Sequence, residues 1–191
     1  MNWPLVAPLR ENTGWTHRDN VFTDGEIDQI INLCDPLVEP ANVGNGVINA
    51  YRQSDIAWLD TEDPEFDWIY ATLAPVITEI NNSYYKFDLT KIQTLQFTKY
   101  SDKNNDAYLP HLDIGRLKPT RKLSFSVQLS DADDYVGGNL QFLHLKTEPE
   151  QAPRTRGSII FFPSWLAHEV TPVTKGTRYS LVGWVEGPLF K

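Results

Sequence analysis

Residues 92–100 read IQTLQFTKY, and this stretch decides how the second half of the chain is interpreted. Leu95 and Phe97 alternate with polar side chains, which is the two-residue period of a β-strand with one apolar and one polar face. Four later stretches, separated by turn residues, share this character: RKLSFSVQL (121–129), NLQFLHL (139–145), GSIIFF (157–162) and TRYSLVGWV (177–185). The chain from about residue 91 onward is therefore predicted to consist of short strands.

The first third of the chain has helical periodicity instead. Thr23 and Glu26 have the spacing of a capping box, and an apolar stripe follows at Ile27, Ile30 and Cys34. These residues predict a helix that buries one face. Cys34 is therefore expected in the core rather than as a reactive thiol.

A second helix is predicted to begin at Asp63–Pro64, because Asp is a good N-cap and Pro is favoured at the first helical position. Pro75 lies inside the apolar pattern that follows and is expected to kink or split the helix near Ala74. Helices followed by a run of short strands favour an α+β fold that is mainly β. We expect a jelly-roll barrel (a double-stranded β-helix) braced by N-terminal helices. The whole chain, 1–191, is interpreted as one domain, with a helical support region at 1–90 and the jelly-roll core at 91–191.

Charge and composition restrict the partners. The 191 residues carry 17 Lys and Arg against 25 Asp and Glu, a net charge of −8, which argues against nucleic acid. The one basic run, GRLKPTRK (115–122), is interpreted as a solvated loop. A single cysteine, no apolar run near the ~18 residues of a membrane span, and no signal-peptide pattern in the first 14 residues predict a cytoplasmic protein without a membrane partner.

Three residues have the types and spacing of a metal site. His111 and Asp113 form an H-x-D pair, whose side chains project to the same side of an extended segment. His168 follows a later strand and can reach the pair only from a different part of the sheet. Two histidines and one carboxylate on one face are typical of non-haem Fe(II) oxygenases, although three ligands plus water also suit catalytic zinc.

An arginine and a polar strand face accompany these residues. Arg178 lies on a predicted strand whose alternation puts Ser180 and Trp184 on the same face. A buried arginine there needs an anion, either a bound dicarboxylate or a nearby acid such as Glu186. Tyr100 ends the polar face of IQTLQFTKY, where its hydroxyl could bond a carboxylate or the backbone.

The ordered set resembles the Fe(II)/2-oxoglutarate-dependent dioxygenases, within them the prolyl 4-hydroxylase-like group. The resemblance covers roughly residues 92–186. Its elements in chain order are a strand tyrosine, Tyr-x-x-His-x-Asp (108–113), a basic residue opening the next strand (Arg121), GGNLQF (137–142), a strand into Phe-Pro-Ser (162–164), HEVTPV (168–173), GTRYS (176–180) and Trp184.

The resemblance implies a role for each of these residues and a set of cofactors. His111, Asp113 and His168 match the family's iron ligands and catalytic centre. Arg178, Tyr100 and Ser180 match residues that bind 2-oxoglutarate, and Tyr108 and Trp184 match aromatics on the substrate side. The cofactors implied are Fe(II), 2-oxoglutarate and O2, with ascorbate as a candidate addition.

The resemblance also implies a reaction, in which an unactivated C–H bond is hydroxylated while 2-oxoglutarate is decarboxylated to succinate. A peptidyl proline in a protein or peptide is the expected substrate. Two alternatives stay open: the same chemistry on a small molecule, and a zinc hydrolase or non-catalytic metal-binding jelly roll. Glu169 could serve the hydrolase as a base, but strand alternation should point it away from the metal.

Overall fold

The computed structural model describes residues 14–41, 51–144 and 147–189. The predicted absence of a leader at the N-terminus falls mostly outside this part. Within it, the two α-helices are α1 (Asp24–Cys34) and α2 (Asp67–Ile80), with 3-10 turns at Asp35–Leu37, Pro64–Phe66 and Asp102–Asn104 and a π-helical turn at Asn81–Tyr85. The strands are β1 (Thr16–Arg18), β2 (Glu39–Pro40), β3 (Arg52–Gln53), β4 (Asp55–Leu59), β5 (Lys91–Ile92), β6 (Leu95–Ser101), β7 (Ala107–His111), β8 (Arg121–Gln128), β9 (Tyr135–Gly137), β10 (Leu140–Phe142), β11 (Glu150–Gln151), β12 (Ile159–Pro163), β13 (His168–Val170) and β14 (Val173–Glu186).

These strands form two antiparallel sheets. The major sheet has the order β1-β12-β8-β14-β6-β4-β2, and β5 and β9 also pair with β14. The minor sheet has the order β11-β10-β13-β7-β3. The predicted mainly-β class with helical bracing is confirmed. The strands of the described ranges stay in two separate sheets, however, so the jelly roll is not a closed barrel.

Two apolar clusters fix the layers. The larger cluster packs α1 and α2 on one face of the major sheet, for example Ile30 and Leu73 against Phe97, Phe125 and Leu181. The smaller cluster lies between the two sheets. Its members come from both sheets and include Phe142, Ile160, Phe162 and Val173. The face of the major sheet that turns away from the helices is therefore the face that meets the minor sheet.

The signals of the first helix are confirmed. Thr23 caps α1 in a complete capping box, in which the Glu26 backbone N–H donates to Thr23 Oγ1 and the Glu26 carboxylate accepts from the Thr23 backbone N–H. Cys34 is fully buried, and burial raises its pKa to about 12. The second helix begins later than predicted, since Asp63 caps a 3-10 turn at Pro64–Phe66 and α2 starts at Asp67. α2 runs through Pro75 to Ile80, so the predicted split near Ala74 is wrong.

The first 90 residues also contain strands that the sequence analysis did not predict. β1 pairs with β12, β4 pairs with β6, and β3 pairs with β7, so this region extends both sheets as well as supplying helices. Among the predicted strands, NLQFLHL is shorter than expected, since β10 ends at Phe142. Across the described part of the chain, no helix has the length and apolar character that a membrane crossing requires.

Candidate functional site

The three candidate ligands come together where β7 and β13, two neighbouring strands of the minor sheet, pair. His111 ends β7, His168 begins β13, and the two residues lie directly opposite each other in the antiparallel register. Asp113 follows β7, and its backbone N–H donates to the Ser164 carbonyl at 3.0 Å. His111 Nε2 lies 3.8 Å from Asp113 Oδ1, and His168 Nε2 lies 3.6 Å from Asp113 Oδ2. One ligand atom from each residue lies within 4.8 Å of the others, a spacing at which they could hold one metal ion.

Both imidazoles present the same nitrogen. The Nδ1 of His111 lies 2.8 Å from the Leu109 carbonyl oxygen, and the Nδ1 of His168 lies 2.9 Å from the Leu166 carbonyl oxygen. A carbonyl only accepts hydrogen bonds, so each Nδ1 carries the proton and donates. In the neutral form of each ring, Nε2 then keeps its lone pair, which is the form of imidazole that binds a metal.

For His111 and Asp113, the electrostatics favour the protonation states that metal binding requires. Burial, followed by the nearby His168, lowers the pKa of His111 to about 4, so this ring is neutral at neutral pH. Burial alone would raise the pKa of Asp113, but His168 and His111 together bring it below its usual value. The side chain of Asp113 is 8% exposed, yet its buried Oδ2 has no hydrogen-bond partner. The neutral His111 ring, the His168 ring and one unsatisfied carboxylate oxygen thus lie within metal-binding distance of one another.

Arg178 lies in the same cavity, on β14 of the major sheet. It is 1% exposed, and its Nη2 donates to Gln128 Oε1 at 3.0 Å, while Nε has no partner. Glu186, the acid considered as a partner from the sequence, instead accepts from Gln93 and pairs with Lys91 at 3.2 Å. Within the described residues, no carboxylate lies within 4 Å of the Arg178 guanidinium.

The remaining predicted residues line this cavity, whose volume is about 430 Å³ including its open mouth. Tyr100 lies opposite Arg178 in the β6–β14 register, and the two side chains make a cation–π contact of 5.6 Å. The Tyr108 ring stacks on His111 with centroids 3.6 Å apart. Ser180 and Trp184 also line the cavity, and the Ser180 Oγ and the Trp184 Nε1 are buried without partners. The predicted alternation of β6 and β14 is therefore confirmed.

Comparison with known proteins agrees with a metal-binding cavity of this kind. Residues 95–186 match the model of the 2OG-Fe(II) oxygenase superfamily. The match covers just under half of the chain. The chain is 37% identical over 97 residues to a PKHD-type hydroxylase of Prochlorococcus marinus, an alignment that covers 50% of this chain and 42% of that protein. The chain thus spans less than half the length of this curated relative.

Solved structures share the fold over nearly the whole chain. The prolyl-4-hydroxylase of Pseudomonas putida aligns with a TM-score of 0.74 at 21% identity, covering 92% of this chain and 94% of that one. A Trichoplax adhaerens prolyl hydroxylase, solved in complex with a hypoxia inducible factor oxygen degradation domain peptide fragment, aligns with a TM-score of 0.76 at 17% identity, covering 92% and 84%. At these identities the structural likeness establishes the double-stranded β-helix fold.

The cavity fits the groups that the matching superfamily model implies, namely Fe(II), 2-oxoglutarate and O2. The orphaned Asp113 Oδ2 and the two free Nε2 atoms are a donor set for Fe(II). The orphaned Arg178 Nε and Ser180 Oγ are donors for a carboxylate in the same cavity. The residues that carry these atoms all line the cavity in which these groups would bind.

Three residues that were weighed from the sequence lie outside the cavity: His17, His144 and Glu169. The His17 side chain is 41% exposed, on the unpredicted strand β1. His144 lies beyond β10, where its Nε2 is 3.5 Å from Glu150, so its predicted position on a strand is wrong. Glu169 is not among the described residues that line the cavity, as the alternation of β13 predicted.

Sequence reasoning missed two residues of the site. Gln128 holds Arg178, and Arg52 lines the cavity beside Tyr108. Gln128 lies within the predicted strand RKLSFSVQL (121–129), so its polar side chain next to Val127 was the available signal. Arg52 gave no signal, since β3 has only two residues.

Proposed function

We propose that this protein is an Fe(II)- and 2-oxoglutarate-dependent dioxygenase that hydroxylates an unactivated C–H bond. In this proposal His111, Asp113 and His168 bind Fe(II), and Arg178 binds the distal carboxylate of 2-oxoglutarate with help from Tyr100 and Ser180. One observation carries it: the buried metal-donor cluster, with an unsatisfied carboxylate oxygen, shares its cavity with a buried guanidinium that has no carboxylate partner. A zinc hydrolase would need a base near the metal and has no use for that guanidinium.

The protein's own residues would supply positioning and shielding. When bound, Fe(II) with 2-oxoglutarate and O2 supplies the oxidising chemistry. Leu109 and Leu166, through their carbonyls, hold each imidazole in the tautomer that leaves Nε2 free. Gln128 holds the Arg178 guanidinium, so its charge is oriented before a dicarboxylate arrives. Phe162 and Val170 line the same cavity and exclude water from it.

A peptidyl proline is the substrate we propose. The support is that the similar proteins include a PKHD-type hydroxylase and two prolyl hydroxylases, one of them solved with a peptide fragment. Tyr108 and Trp184 line the cavity as aromatic walls that could hold a target ring. A small molecule is the alternative substrate for the same chemistry. Ascorbate as an additional cofactor stays a prediction.

The proposal treats residues 1–191 as one dioxygenase domain in which residues 1–90 brace the jelly-roll core at 91–191. We also propose a cytoplasmic protein with no nucleic-acid or membrane partner, on the strength of its net charge of −8 and its single cysteine.

The test is Fe(II)-dependent conversion of 2-oxoglutarate to succinate by the purified full chain with a pool of proline-containing peptides. Mass spectrometry of the pool would detect the gain of one oxygen atom. We expect His111→Ala to abolish succinate formation and His17→Ala, which removes a histidine outside the cavity, to leave it unchanged. Succinate formation that survives in His111→Ala would refute the site. Turnover with small molecules alone would refute the peptide substrate and keep the chemistry.

A further inference from the structure

Arg52 is a second guanidinium in the cavity, and the proposed chemistry gives it no task. It lies on β3 directly opposite Tyr108 of β7, and its Cζ is 4.8 Å from the centre of the Tyr108 ring. The same ring stacks on His111. One aromatic ring therefore separates the guanidinium from a candidate metal ligand, and Arg52 lines the cavity beside it.

The bonding partners of Arg52 are neutral. Its Nε donates to Ser54 Oγ at 3.0 Å, and its Nη2 donates to Gln96 Oε1 at 2.7 Å. An arginine has five N–H donors, so these two bonds leave three for a ligand. Within the described residues no carboxylate oxygen lies within 4.0 Å of this guanidinium, and the preceding stretch, 42–50, contains no Asp or Glu.

A count of charges in the cavity leaves Arg52 without a counter-ion. Asp113 is the only acidic residue among the described residues that line the cavity, and in the proposed function it binds the metal. Arg178 is taken by the co-substrate in the same scheme. A half-buried positive charge without an anion is costly, and a carboxylate matches the planar fork of a guanidinium best.

We propose that Arg52 recognises a carboxylate on the molecule that is hydroxylated, so that the protein selects anionic substrates. This inference rests on the proposed function and narrows its substrate class. The carboxylate has two sources, which the experiment separates: an acidic residue next to the target in a peptide, or the carboxyl group of a free small acid. Gln96 and Ser54 act as positioning residues that aim the guanidinium into the cavity.

The experiment is a binding titration on the full chain loaded with Mn(II) and N-oxalylglycine, which cannot turn over. The probes are two matched pairs: acetyl-Gly-Pro-Asp-Gly amide against acetyl-Gly-Pro-Asn-Gly amide, and N-acetylproline against N-acetylproline amide. We expect the acid of one pair to bind roughly tenfold or more tightly than its amide. Preference in the first pair assigns a peptide, and preference in the second pair assigns a small acid.

Variants identify the residue responsible. In Arg52→Gln the preference should fall to within about twofold, and Arg52→Lys should retain part of it, because a lysine keeps the charge but not the fork. Arg18→Gln, which removes an exposed positive charge on β1, is the matched control and should keep the full preference. Calorimetry of N-oxalylglycine with the Mn(II) protein, done first, should give the same affinity in Arg52→Gln as in the native protein.

Three results would overturn the inference: acids and amides that bind alike or not at all to the native protein, a preference that persists in Arg52→Gln, or a loss of N-oxalylglycine affinity in that variant. The last would assign Arg52 to the co-substrate. Failure of the proposed function is a different result, since N-oxalylglycine would then not bind the native Mn(II) protein.

Discussion

At the scale of single residues, backbone carbonyls rather than other side chains fix which nitrogen of each candidate metal-binding histidine carries the proton. The Nδ1 of each histidine donates to the carbonyl two residues earlier, Leu109 for His111 and Leu166 for His168. A bond to a backbone carbonyl cannot be lost by mutation of a side chain and cannot reverse its direction. The two Nε2 atoms are therefore set for metal binding before a metal arrives, which lowers the reorganisation that binding requires.

A variant of Arg178 tests whether co-substrate binding and metal binding depend on different residues of the cavity. We expect Arg178→Gln to weaken the binding of 2-oxoglutarate to the Mn(II) protein by about 10–100-fold, because a charge-assisted pair is replaced by a neutral contact. The affinity for Mn(II) itself should stay within about threefold, since Arg178 is not a metal donor in the proposal. Isothermal titration calorimetry measures both quantities on one sample. Loss of Mn(II) affinity in this variant would contradict the separation of the two roles.

The site residues that could be predicted from sequence are those with a diagnostic chemical type. Metal-ligand side chains and a buried arginine have few roles on a strand other than binding a metal or an anion. The residues of this kind are His111, Asp113, His168 and Arg178. Arg52 gave no signal and Gln128 only a polar side chain on a strand, because both join the site through register. Gln128 is opposite Ser180 on β14, and Arg52 is opposite Tyr108 on β7.

At the scale of secondary-structure elements, α1 shows how a local signal stabilises a long-range contact. Its capping box fixes the first turn, and the buried Ile27 and Ile30 then dock on the major sheet. We expect Thr23→Ala to lower the free energy of unfolding by about 1 kcal/mol, since the Glu26 backbone N–H and carboxylate both lose their bonds to the Thr23 hydroxyl. Denaturation in urea measures the effect. Thr61→Ala, at an exposed turn, is the control and should change stability by less than about 0.5 kcal/mol.

The central strand β14 depends on one glycine. A Cβ placed on Gly183 would lie 2.2 Å from Phe125 Cζ and 2.7 Å from Leu95 Cδ2, so the side chains of β8 and β6 occupy its place. We expect Gly183→Ala to lower the free energy of unfolding by about 1–3 kcal/mol in the same denaturation assay, because the added methyl group clashes with side chains of the two neighbouring strands. Gly115→Ala, where a Cβ would meet no atom within 4 Å, should be close to neutral. Equal stability of the two variants would contradict the packing described for β14.

The helices were predictable as elements, and the early strands were not. The signals of α1 lie within twelve residues, from Thr23 to Cys34, so the sequence alone contains them. β1 and β3 are three and two residues long, and each exists only because a partner strand pairs with it. A two-residue strand has no period to detect, so its identity is a tertiary property. Pro75 shows the converse, since packing of α2 on the sheet overrides a local helix breaker.

At the scale of the whole molecule, the cavity is a joint product of the two sheets. The minor sheet contributes Arg52, Tyr108 and both histidines, while the major sheet contributes Tyr100 and Arg178. A metal and a dicarboxylate bound together would thus connect the sheets across their interface. The helices reinforce only the opposite face of the major sheet, which leaves the cavity side free for ligands.

Burial of ionisable side chains makes the stability of the whole molecule sensitive to alkaline pH. Burial raises the pKa of Cys34 to about 12, from an ordinary value of 9.0, and raises that of Tyr108 to about 12. It raises the pKa of Tyr85 as well. The unfolded chain ionises these groups first, so it binds fewer protons than the folded chain above pH 9. Stability is therefore fully present below about pH 9 and falls as the pH rises toward 12.

The expected slope for Cys34 alone is about 1.4 kcal/mol per pH unit between its two pKa values, and the tyrosines add to it above about pH 10. Lys122 opposes the trend, because burial lowers its pKa. The free energy of unfolding, measured in urea at pH 8, 9, 9.5 and 10, gives the slope directly. Cys34→Ala should be less stable at pH 8, because it leaves a cavity in the core, yet it should lose less stability between pH 9 and pH 10. An identical slope in the variant would mean that the thiol ionises as readily in the folded chain as in the unfolded one. That result would contradict the full burial of Cys34 in the core.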